Sequence, residues 1–172
     1  MVTWPAWVEA VFAFSLDLNG WQELGLAFLL GSFAVATWSD LKHLSAQREF
    51  LEVWLFFVLA VLAFDAYRAG FVFGTFWQVT AVKWGLIAAF SVASFERTGP
   101  LFRLARADVA ALAAAASLLT PVLIVLFYAS AKGIALAVGP MLRRGRPYWP
   151  FMPVVSLATI LVLALGFAVS GG

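Results

Sequence analysis

Long apolar runs, each closed by a short polar turn, leave this chain few folds to choose from. Phe151 to Val169 holds no charged residue. A helix of about 20 apolar residues is what a bilayer core demands, because its backbone donors and acceptors are then satisfied within the helix. Similar runs cover about Leu24 to Trp38, Phe50 to Tyr67, Phe76 to Phe95, Asp108 to Thr120 and Pro121 to Val138. The chain is 64% hydrophobic and 12% charged, against about 25% charged in an average soluble domain. The expected fold is an all-α membrane protein with about six transmembrane helices plus an N-terminal interfacial helix. It forms one domain over 1–172, in which 1–20 lie on the membrane surface and 21–172 form the bundle.

The N-terminal segment carries Glu9 and Asp17 among aromatic residues, too acidic and too short for a comfortable span. Thr3 is placed to cap a helix with Pro5 in its first turn. Trp4, Val8, Val11 and Phe12 then share one face, which suits a helix lying on lipid. The run from Asp108 is also short for a crossing. It is expected to be tilted or buried within the bundle.

Several chemistries are excluded by residue type. With no cysteine there is no disulfide, thiolate zinc site or cysteine nucleophile, and His43 is the single histidine; no metal or cofactor is expected. The basic residues are distributed by side. If the turn after the first span is inside, the inner segments hold Lys42, Arg48, Arg97, Arg103, Arg106, Arg143, Arg144 and Arg146, and the outer ones only Arg68. That asymmetry predicts the orientation by the positive-inside rule. Arg143, Arg144 and Arg146 act as a topology signal and headgroup contact, and no nucleic-acid partner is expected. Lys83 and Lys132 are expected to snorkel, and Arg68 to pair with Asp65 three residues before it. Trp21, Trp38, Trp54, Trp77 and Trp149 sit near span ends, where indoles anchor at the membrane interface.

Two carboxylates fall at one depth on the inner side. Asp40 closes the first span and Asp108 opens the short one. Ala110, Ala111, Ala113 to Ala116 and Ser117 leave little bulk on the short helix, and Gly25, Gly31, Ser32 and Ala36 do the same on the first, which would let the two approach. Two carboxylates a few ångströms apart do not both ionise readily. One keeps its proton while the other acts as base, and a water held between them can be directed at a peptide carbonyl. Aspartyl protease chemistry needs no metal, cysteine or histidine. The plainer alternative is that the two acids cap helices or relay protons in a non-enzymatic membrane subunit.

Ser39-Asp40-Leu41-Lys42 at the end of a first span resembles the first aspartate motif of the type IV prepilin and archaeal preflagellin (archaellin) peptidases. Ala105-Arg106-Ala107-Asp108-Val109, followed by Ala111-Leu112 and Leu118-Leu119-Thr120-Pro121, is similar to their second motif, of the GxGD type. Arg146 to Pro153 resembles the approach to their last span. The resemblance covers roughly Leu24 to Gly166. It implies a membrane aspartyl endopeptidase that removes the basic leader of pilin-like or archaellin precursors at the cytoplasmic face. Asp40 and Asp108 stand where that family has its catalytic aspartates. Glu49, Glu52 and Glu96, on the same side, become candidates to bind a basic leader. The chain departs from the pattern at Ala105 and Ala107, which replace the glycines of GxGD, and at Ala110, where the family often has lysine. An inactive homologue is the alternative within the same family.

Overall fold

A helix of small residues lies at the centre of the molecule. In the computed structural model, which describes residues 5–14, 16, 18–43, 48–70, 77–96, 99–143 and 149–170, the helix Arg106–Ala116 (α5) is buried along its whole length from Ala110 onward. Alanine makes this possible. It has the highest helix propensity, and its single methyl lets neighbouring backbones close in. The other described helices are α1 (Ala6–Val11), α2 (Gly20–His43), α3 (Arg48–Arg68), α4 (Trp77–Ser94), α6 (Pro121–Arg143) and α7 (Met152–Ser170). Short connections make successive helices reverse direction. One end of the bundle therefore gathers the C-termini of α2, α4 and α6 with the N-termini of α3, α5 and α7.

Four helices are long and apolar enough to cross a membrane: α2, α3, α6 and α7. The expected count was about six. The other two candidates are α4, whose 18 residues include Lys83, and α5, whose 11 residues rise only about 16 Å. The outer surfaces carry the apolar side chains that lipid requires. Phe56 is 75% exposed and Leu59 61%, an arrangement suited to hydrocarbon rather than water.

Side chains of matched size lock the helices together. Gly25 of α2 brings the ring of Phe57 on α3 to 3.2 Å from where a Cβ would stand. Trp54 of α3 is fully buried, and its Nε1 donates to Ser32 Oγ at 3.0 Å. So Trp54 is a core residue, not the interfacial anchor its position suggested. Gly25 and Ser32 of α2 thus meet side chains of α3, while the backbone of α2 packs most broadly on α7. α5 packs most broadly on α3, and α2 reaches it over a narrower contact.

The N-terminal segment differs from the expected surface helix. α1 has six residues with Pro5 at its N-cap rather than in its first turn, and it packs on α4. Thr3, Trp4 and Asp17 lie outside the described residues. Beyond α1 the chain turns inward. Leu16 N–H donates to Ser170 Oγ at 2.9 Å, and Thr120 Oγ1 donates to the Ala13 carbonyl at 2.8 Å. This strap closes the end of the bundle opposite the one where α2 finishes and α5 and α7 begin. Gly166 permits it, since a Cβ there would stand 2.9 Å from Leu16 Cβ.

Candidate functional site

Asp40 lies in the last turn of α2 with only 7% of its surface exposed. Its Oδ2 accepts the N–H of Met152 at 3.0 Å, and the carboxylate also accepts the N–H of Phe151. Those are two of the donors that a helix N-terminus leaves without intrahelical partners. The side chain of one helix thus caps another far along the chain, and the positive end of the α7 dipole faces a carboxylate. One turn further in, Thr37 Oγ1 and Ser156 Oγ share a hydrogen bond of 2.8 Å that holds the same two helices in register.

Asp108 occupies the first turn of α5 and is half-buried. It is not the N-cap. Ala105 holds that position, with no side-chain cap bond, so Asp108 is the third helical residue and its side chain is free for other contacts. Asp40 and Asp108 stand near enough for each to feel the other's charge. Residues far apart in sequence therefore bring two carboxylates to the end where α2 finishes and α5 and α7 begin.

The loop leading into α5 is built to hold that helix start in place. Leu104 N–H donates to the Ser94 carbonyl at 3.0 Å, Glu96 N–H to the Leu104 carbonyl at 3.1 Å, and Leu101 N–H to the Ala93 carbonyl at 2.9 Å. The loop folds back onto the last turn of α4. Gly99 makes the fold-back possible, because a Cβ would sit 2.1 Å from the Ala93 carbonyl oxygen.

Glu49, Glu52 and Glu96 lie at the same end and are exposed. Glu52 borders an open groove with Phe28 and Phe56 on the outer side of α2 and α3. Among the described residues, no three carboxylates or histidines gather closely enough to hold a metal ion. Arg97, Arg144 and Arg146 lie outside the described residues, as do the side chains of Arg48 and Arg143.

A second charged cluster sits toward the opposite end. Lys83 Nζ donates to Asp65 Oδ2 at 2.7 Å, with both side chains about one-eighth exposed (12% and 13%), and Trp84 Nε1 donates to the same oxygen at 3.0 Å. The partner of Asp65 is therefore Lys83 and not Arg68, which instead lies over the ring of Phe64 at 5.8 Å. A mutual ion pair replaces the expected snorkelling of Lys83. The sequence held a signal for it: opposite charges just inside the facing ends of two consecutive helices. Lys132 likewise turns to protein, donating to the Leu101 carbonyl and lying 5.1 Å from the Phe102 ring centre. Compared with family models, characterised proteins and solved structures, the chain matches none.

Proposed function

We propose that this chain is a six-span membrane aspartyl endopeptidase of the prepilin and preflagellin peptidase type. It cleaves the basic leader of a pilin-like or archaellin precursor at the cytoplasmic face of the cell membrane. One observation carries the reading: a buried carboxylate of α2 and a half-buried carboxylate of α5 lie within each other's electrostatic reach. A water between them would be deprotonated by one acid as it attacks the scissile carbonyl, while the other donates its proton to the developing oxyanion or leaving amine. The pair titrates as a unit, so the two protonation states belong to the dyad. Asp40 is fixed by the main-chain donors of α7, and Asp108 by the first turn of α5, whose leading loop is anchored on α4. Glu49, Glu52 and Glu96, exposed around the same end, supply negative charge toward a basic leader.

A second reading has its own support in the Asp40 to Met152 hydrogen bond. In it Asp40 is a cap, and the chain is an inactive homologue or a non-enzymatic membrane subunit. The two part in a cleavage assay with pilin-type precursors, using reconstituted wild type, Asp40→Asn and Asp108→Asn. The proteolytic reading expects wild type to cut after the basic leader and each folded variant to lose at least a hundredfold in rate, the scale of general acid–base catalysis. Equal cutting by the variants, or none by wild type across a precursor panel, leaves the capping role.

A further inference from the structure

A concavity of about 650 Å³ lies beside the acid pair, between the loop 99–104, the C-terminal half of α6 and the approach to α7. Phe151 is the partition. Its N–H donates to Asp40, while its ring forms the cavity wall, edge-on to Phe102 at 5.4 Å and to Trp149 at 5.5 Å. Among the described residues, the lining includes two cations, Lys132 and Arg103, and no acidic residue. A lysine ammonium carries three donors. Lys132 gives one to the Leu101 carbonyl, and among the described residues no carboxylate lies within ion-pair distance of it. The cavity is thus electropositive, and its walls are aromatic and aliphatic.

The outer face of α6 continues from it. Val125, Ala129, Gly133 and Leu136 are exposed at helical spacing, and Leu136 also lines the cavity. The small residues in the middle leave open space against α6, since a Cβ at Gly133 would meet nothing within 4 Å. A cationic pocket continuous with an exposed apolar stripe along a membrane-length helix matches a molecule with an anionic head and a hydrocarbon tail. An isolated inorganic anion would leave the stripe uncovered.

We propose that this cavity binds the phosphate headgroup of an anionic phospholipid, with Lys132 and Arg103 on the phosphate and one acyl chain along the Val125–Leu136 stripe of α6. Trp149 is the indole at its mouth. The site is independent of the proteolytic reading.

The test uses the full chain in mixed micelles of phosphatidylcholine and phosphatidylglycerol, with retained lipid counted by native mass spectrometry. Wild type is expected to retain phosphatidylglycerol preferentially. Lys132→Gln should lower that preference about fivefold, the scale of one basic residue at an anionic surface. Lys132→Arg should keep it, and Arg103→Gln, at an exposed position, should lower it without threatening the fold. Asp40→Asn and Asp108→Asn should leave it unchanged, which separates this result from any result on cleavage. Equal retention of the two lipids, an unchanged preference in both Lys132→Gln and Arg103→Gln, or displacement of phosphatidylglycerol by equimolar inorganic phosphate or by an acidic peptide would each overturn the proposal.

Discussion

At the scale of single residues, the chain places each buried charge against a defined partner. Asp40 faces main-chain donors, and Asp65 faces Lys83 and Trp84. The two predict different mutational behaviour. Asp40→Ala strands the Met152 donor at the start of α7 and should cost about 1–3 kcal/mol, whereas Asp40→Asn keeps an acceptor and should stay close to wild type. Unfolding in detergent distinguishes them, and equal losses would mean that the hydrogen bond is not what Asp40 contributes. Lys83→Ala leaves the largely buried Asp65 carboxylate with the Trp84 donor but no cation, expected to cost about 1–3 kcal/mol. Removing both charges with Lys83→Met and Asp65→Leu should recover most of that. A double-mutant cycle reads the coupling, and additive losses would show that the pair is not a unit.

At the scale of elements, contacts between backbones decide more than bulk hydrophobicity. α5 is buried because its surface is alanine, so Ala114→Leu, at a fully buried position, should overpack the bundle and cost about 1–3 kcal/mol. Gly166→Val should push the N-terminal strap off α7, seen as faster proteolysis around Leu16. An unchanged cleavage pattern would mean that the strap is held without that close approach. Much of this was legible beforehand. The apolar runs predict α2, α3, α6 and α7 to within a few residues, and the proline at 121 marks where α6 begins. The extent of α5 was less so. The run was expected to start at Asp108 and reach Thr120, yet Ala105 caps it and the helix ends at Ala116, because a methyl-lined interior accepts any register that a loop on α4 imposes. The N-terminal strap was not legible, since it is held by main-chain groups and the hydroxyls of Thr120 and Ser170, which carry no pattern. Trp54 misled for a related reason: an indole near a helix end suits an interface or a core equally well, and only Ser32 across the gap decides.

At the scale of the whole molecule, alternating helix direction brings residues far apart in sequence to one end of the bundle. Asp40 and Asp108 lie at the same end because α2 ends where α5 and α7 begin, and the hydrogen bonds of Asp40 to α7 fix the position of that carboxylate. The same alternation sends Asp65 and Lys83 toward the far end. The candidate acids could be named from the sequence, but their relation to α7 could not, because a main-chain N–H leaves no trace in residue type. The chain contains no cysteine, so the arrangement can be tested without background thiols. The decisive measurement is cross-linking of an Asp40→Cys/Asp108→Cys double variant in bilayers by a bis-thiol reagent a few ångströms long, with Asp40→Cys/Asp65→Cys as the distant control. The account predicts rapid intramolecular cross-linking of the first pair and none of the second; equal, slow reaction of both would mean that the two carboxylates do not form one site.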